Sequence, residues 1–194
     1  MKAFLKCAND RDLQHHCIWR SELSFQACCY TGMAIVSSTH ECFIGSDSSI
    51  VVLNLENGQV IQTILLDDVI GSIHQVEWID SETMIVLHTA ASIFKKQGPM
   101  SWIKHYELKH LDHGNKNMVA NNTILYDAES RMILSACHLG RAVSMFNSDD
   151  GQLLKTIKTS SIVTKGTTFP HGMCVNYLTG ELLLCLNDRV VFLK

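Results

Sequence analysis

Histidine and cysteine are the side chains in this sequence best able to do chemistry, with ten of one and eight of the other among 194 residues. Metal ligation or thiol chemistry is what they would do, and either needs convergence. A zinc site wants three or four ligands at about 2.0–2.3 Å. The tightest histidine group is His105, His110 and His113, with Asp112 beside them. His105 falls in a strand pattern and the others in a polar loop, so the spacing does not bring them to one point. Cys7, His15, His16 and Cys17 form a looser group without zinc-finger spacing. The vicinal pair Cys28-Cys29 would point to opposite faces of a strand, one inward and one toward a neighbouring sheet. No metal site and no redox pair is expected.

Nucleophilic catalysis has no anchor either. There is no Gly-x-Ser-x-Gly elbow, and Gly45-Ser46-Asp47 reads as a turn. A Cys–His pair would be adjacent in space rather than in sequence, and nothing singles one out. Neither Gly-x-x-x-x-Gly-Lys-Ser/Thr nor Gly-x-Gly-x-x-Gly occurs, so a phosphate cradle is missing. The carboxylates of Asp47, Glu56, Asp80, Asp127, Asp149, Asp150 and Asp188 sit in turn sequences, where they bond their own backbone. Of the tryptophans, Trp78 belongs to an inner strand and the core. Trp102 opens an outer strand, where it is either packed or, as a rigid amphipathic anchor, an interaction residue. No catalytic residue and no cofactor is expected.

The chain as a whole agrees. It is 46% apolar and 18% charged, the latter below the ~25% of soluble domains, so it can bury a core. A net charge of −3 does not attract phosphate, and nucleic acid is not an expected partner. The longest apolar runs, Ile50 to Leu53 and Leu182 to Leu186, fall far short of the ~20 residues of a membrane span. Met1 to Cys7 is too short in apolar residues for a signal peptide. A soluble, cytoplasmic chain is expected, its cysteines small buried residues rather than disulfides.

Short β segments must position whatever functions here. Ile50 to Leu55 is apolar and β-branched, Glu56-Asn57-Gly58 turns it, and Gln59 to Leu65 returns. Ala142 to Asn147, Asp149-Asp150-Gly151 and Gln152 to Ile157 repeat the pattern. Gly58-Gln59-Val60-Ile61-Gln62-Thr63-Ile64 aligns with Gly151-Gln152-Leu153-Leu154-Lys155-Thr156-Ile157, 93 residues on, and the same offset carries Leu53 and Asn54 onto Phe146 and Asn147. Two units of about 46 residues fill that gap, the size of a four-stranded propeller blade. Four units follow: 24–68, 69–110, 118–160 and 167–194, the last ending after its third strand. Residues 1–23 read as irregular. Phe4 to Trp19 could supply the missing strand and close the ring. Otherwise the chain is part of a larger propeller or half of a dimer, and a partial propeller is the favoured reading.

Gly45-Ser46-Asp47-Ser48-Ser49-Ile50-Val51-Val52-Leu53-Asn54-Leu55-Glu56-Asn57-Gly58-Gln59 resembles a WD40 repeat, with Asp47 at the structural aspartate position and Leu53-Asn54 in place of the Trp-Asp pair. Pro170-His171-Gly172-Met173-Cys174-Val175, with Gly180 to Leu184 and Arg189 to Phe192, is similar to an NHL repeat. The resemblance implies an all-β, WD40/YVTN-like propeller of about four antiparallel four-stranded blades. It also implies a non-catalytic protein-interaction scaffold, a fragment or carboxy-terminal module of a larger signalling or trafficking protein. The alternative is a propeller-type hydrolase or lyase with a central-channel site. Such a site needs polar groups on the innermost strands, and Val76, Trp78, Met173 and Val175 there read as packing.

Overall fold

Strands of four to eight residues succeed one another through residues 32–69, 71–98, 101–108, 121–138, 140–162 and 169–193, which this computed structural model describes. The first sheet is β1 (Met33–Val36), β2 (Glu41–Ser46), β3 (Ser49–Asn54) and β4 (Val60–Leu65). The second is β5 (Gln75–Asp80), β6 (Thr83–Leu87), β7 (Ala91–Gly98) and β8 (Ser101–Glu107). The third is β9 (Asn121–Asp127), β10 (Met132–Cys137), β11 (Ala142–Asn147) and β12 (Leu153–Lys158). The last has three strands, β13 (Pro170–Asn176), β14 (Glu181–Leu186) and β15 (Val190–Leu193). Each sheet is an antiparallel meander with its strands in sequence order. A single helical turn, Thr159–Ile162, follows β12.

The four sheets are arranged as blades of a β-propeller. The innermost strands neighbour one another in the order β1, β5, β9, β13, and β13 does not pack back onto β1 as those neighbours do. Period-two alternation gives each blade two apolar faces. Ile50 and Val52 turn toward blade 2 and join Val76, Met84, Val86 and Phe94 in one core. Val51 and Leu53, between them in sequence, turn the other way and cluster with Cys42. The run Ile50 to Leu53 is therefore apolar throughout because both faces of the strand are covered. Ile85, Leu87, Ala91 and Ile93 meet Ile124, Ile133 and Phe146 of blade 3. Leu134, Ala136 and Val143 meet Leu184 and Leu186 of blade 4.

The 93-residue match is a structural identity of turns. In blade 1 the Asn54 carbonyl accepts from Gly58 N at 2.8 Å, and Asn54 Oδ1 accepts from Glu56 N at 2.7 Å. In blade 3 the Asn147 carbonyl accepts from Gly151 N at 2.9 Å, and Asn147 Oδ1 accepts from Asp149 N at 2.8 Å. Gly58 and Gly151 share φ = 71°, a left-handed conformation that glycine takes without strain. Both strands carry a bulge at the same place, before Leu53 and before Phe146. A methyl group at Gly151 would stand 2.6 Å from the Tyr106 ring of blade 2, so this turn also seats a neighbouring blade.

One polar side chain ties blades 2 and 3 at the inner rim. Gln75 Nε2 donates to the Ile124 carbonyl at 2.8 Å, and Gln75 Oε1 accepts from Ile124 N at 3.0 Å and Thr123 Oγ1 at 3.1 Å. The amide imitates a strand between β5 and β9. Gln75→Leu keeps the volume and strands the Ile124 peptide groups. It should cost about 2–4 kcal/mol in urea unfolding. Gln59→Leu, at an exposed turn, should stay within about 0.5 kcal/mol of the parent.

Candidate functional site

Blades 1 and 2 diverge where their innermost strands end, and a cleft of about 350 Å³ opens between them. Its floor is aromatic. Phe43 of β2 meets Trp78 of β5 with ring centroids 4.3 Å apart, and Trp102 of β8 meets Trp78 edge-on at 5.5 Å. Val52 and Ile64 complete the apolar wall. The rim carries Glu41, Asp80 and Lys96, with the exposed hydroxyls of Ser38, Thr39 and Ser81 from the β1–β2 and β5–β6 turns. Thr39 Oγ1 donates to Glu41 at 2.7 Å, and Asp80 Oδ1 accepts from Glu82 N at 2.8 Å. Gln62 also lines the cleft, and its buried Nε2 has no hydrogen-bond partner. An orphaned donor of this kind costs free energy until an acceptor arrives. The arrangement can bind an apolar or aromatic side chain and offer one hydrogen bond to a carbonyl beside it.

A second polar cluster lies between blades 2 and 3. Glu77 of β5 is half-buried, and burial pushes its carboxyl up to about 7 despite hydrogen bonds from the Tyr126 backbone and the Gln75 side chain. Tyr177 donates to the Tyr126 carbonyl at 3.4 Å, and burial, Asp127 and Glu77 raise its phenol above the ordinary value. One carboxyl and one phenol near each other do not make a nucleophile with its base.

Trp102 is only 9% exposed and packs in the blade 1–blade 2 core, its accessible edge turned into the cleft. Asp47 is exposed in the β2–β3 turn and joins no buried network; its carbonyl accepts from Ile73 N at 2.9 Å. His105 lies in β8 against Tyr106, while His110, His113 and Asp112 fall outside the described residues. So do Cys7, His15, His16, Cys17, Cys28 and Cys29. Among the described residues no three His, Cys, Asp or Glu side chains are grouped to hold a metal. Cys42 and Cys137 are buried as expected, whereas Cys174 and Cys185 are exposed on the outward face of blade 4. Val76 and Met173 pack in the cores as the sequence indicates. Sequence reasoning missed Gln62, Gln75 and Glu77. The signal for the last two was their alternation with Val76 and Trp78 on an inner strand.

No family model matches the sequence, and no curated protein matches it. Solved structures do. The β-propeller domain of Cps50 (Swd1) from Myceliophteria thermophila superposes with a TM-score of 0.64 at 11% identity, over 84% of this chain and 52% of that one. A structure of the nidogen/laminin complex gives 0.61 at 16% identity, over 84% and 59%. The computationally designed Ika8 protein gives 0.55 at 13% identity, over 91% and 49%. The likeness is of fold, to WD40 and YWTD/NHL-type propellers, and this chain spans about half to three-fifths of each matched chain.

The raised Glu77 carboxyl makes stability depend on pH. The folded chain holds this proton to about pH 7, the unfolded chain only to about 4.5, so the contribution is full at low pH and is lost as pH rises between those values. Glu77→Gln should remove that slope. At pH 8 it should exceed the parent in unfolding free energy by about 1–3 kcal/mol, read by urea titration at several pH values.

Proposed function

We propose that the chain is a non-catalytic protein-interaction scaffold that takes a partner's side chain into the cleft between blades 1 and 2. The observation that carries the reading is the aromatic floor of Phe43, Trp78 and Trp102 beneath a polar rim. Its volume lies at the lower end of the ~300–1,000 Å³ range of ligand pockets, room for one large side chain. Aromatic pockets with polar rims are where binding energy concentrates in protein interfaces. Gln62 Nε2 supplies the directional part, a donor waiting for a peptide carbonyl. The partner is a protein, and the setting a cytoplasmic signalling or trafficking assembly. The outward apolar face of blade 4, where Val190 and Phe192 are exposed, favours a ring completed by further blades.

Selection of peptides on the purified chain, followed by titration through tryptophan fluorescence, tests this. Ligands should quench or shift the emission. Ser81→Trp, which plugs the mouth from an exposed turn, should raise their Kd at least about tenfold. Ligands that bind the plugged variant equally well, or turnover of a small substrate by the chain, would overturn the reading.

A further inference from the structure

Four side chains meet where blades 3 and 4 adjoin, far along the chain from the cleft. His138 and Arg141 belong to the β10–β11 turn, and Phe169 and His171 flank Pro170 where β13 starts. The His138 ring stacks on Phe169, with centroids 4.4 Å apart and planes 13° from parallel. His171 lies 5.0 Å from His138, centroid to centroid. The Arg141 guanidinium carbon is 4.4 Å from the Phe169 centroid. The backbone is bent to make this possible. Arg141 takes φ = 47°, a left-handed conformation that strains a residue with a side chain. Buried Thr159 clamps it there, its amide and hydroxyl both donating to the Arg141 carbonyl at 2.8 and 2.9 Å.

Two features leave the cluster incomplete. Basic groups gather with no counter-charge paired to them among the described residues. None of His138, Arg141 and His171 has an ion pair among the described residues, and Asp188, in the β14–β15 turn, is taken by Arg189 at 2.6 Å. Also, His138 Nδ1 is buried with no hydrogen-bond partner. Burial first, then His171 and Arg141, holds the His138 imidazole below its ordinary pKa. The cluster resists its own protonation as long as nothing negative sits in it.

We infer that His138, Arg141 and His171 form an oxyanion site, which takes a phosphate or carboxylate group presented to the face where the blades begin. Arg141, stacked on Phe169, keeps its N–H edge free for a bidentate bond to two oxygens. The imidazoles add N–H donors, and protonation adds charge. Anion and proton therefore bind cooperatively, each raising affinity for the other, so the site tightens as pH falls through the histidine titration.

The test is an NMR pH titration of the histidine rings of the full chain in chloride, phosphate and acetate. Resonances are assigned with His138→Gln and His171→Gln. The His138 and His171 midpoints should rise by about half a unit or more in phosphate or acetate relative to chloride. A rise in phosphate alone assigns a phosphate ligand, and an equal rise in acetate assigns a carboxylate. Arg141→Gln, at an exposed position, should abolish the rise, and Arg131→Gln, on another turn, should leave it intact. If Arg141→Gln loses its fold, His171→Gln serves, and the His138 shift should fall by at least half. Equal midpoints in all three anions, or a shift that survives Arg141→Gln, overturns the site.

Discussion

A β-sheet that is apolar on both faces cannot be left alone in water, and every other feature of this chain follows from that constraint. Blade 2 shows it most fully. Val76, Met84 and Val86 point one way and Ile85, Leu87 and Ile93 the other, and none exposes any measurable surface. Covering one such side chain is worth about 1.5–3 kcal/mol. Blade 2 is stable because blades lie on either side of it, and each of those needs a neighbour in turn. Stacked sheets thus propagate a demand along the array. At the two ends it is met only in part: Met33 is 61% exposed on blade 1, although Cys42, Val51 and Leu53 on the same face are buried, and Phe192 is 63% exposed on blade 4. The chain matches about half of the length of several larger propellers.

The same constraint decides where polar groups survive. Between apolar faces a polar side chain persists only if its neighbour supplies a partner. Gln75 meets the rule by pairing with a peptide group of the next blade. Glu77 meets it in part, and its carboxyl rises to about 7. Gln62 Nε2 and His138 Nδ1 do not meet it. Gln62 and His138 border the aromatic cleft and the basic cluster, while His74 Nδ1 and Ser135 Oγ are also without a partner, Ser135 fully buried within β10. Packing covers the middle of each boundary and leaves wedges at the ends.

Much of the fold was legible because strands and turns are local. Asn54 and Gly58, repeated as Asn147 and Gly151, fixed both the hairpin and the repeat length, since a side-chain carbonyl and a left-handed glycine suffice to build that turn. Apolar runs with no alternation showed that both faces are covered. The sites were less legible. Phe43 and Trp78 lie 35 positions apart in sequence yet 4.3 Å apart across a blade boundary, and no spacing rule links them. Trp102 was singled out for its type and place on an outer strand, but its contact with Trp78 crosses the face of blade 2 from β8 to β5, which strand order alone does not show. His138 and His171 are likewise joined only by the docking of blade 4 on blade 3. The exposed Cys174 and Cys185 departed from expectation because residue type does not say which face of a strand a neighbour covers.

The two wedges lie at opposite ends of the stack. The aromatic cleft is bordered by the β1–β2 and β5–β6 turns, where innermost strands finish, and the basic cluster by the first residues of β13, where one begins. They also sit at different boundaries, with the blade 2–blade 3 core between them. Their chemistry differs as well: one offers three aromatic rings with a mixed rim of Glu41, Asp80 and Lys96, the other an arginine and two imidazoles around a single phenyl ring. A group suited to one has no reason to enter the other. Because the intervening core is apolar, packed and tied by Gln75, moving one wedge must strain a packed sheet before the other is felt. A rigid stack of this kind keeps the two wedges apart in space and in chemistry.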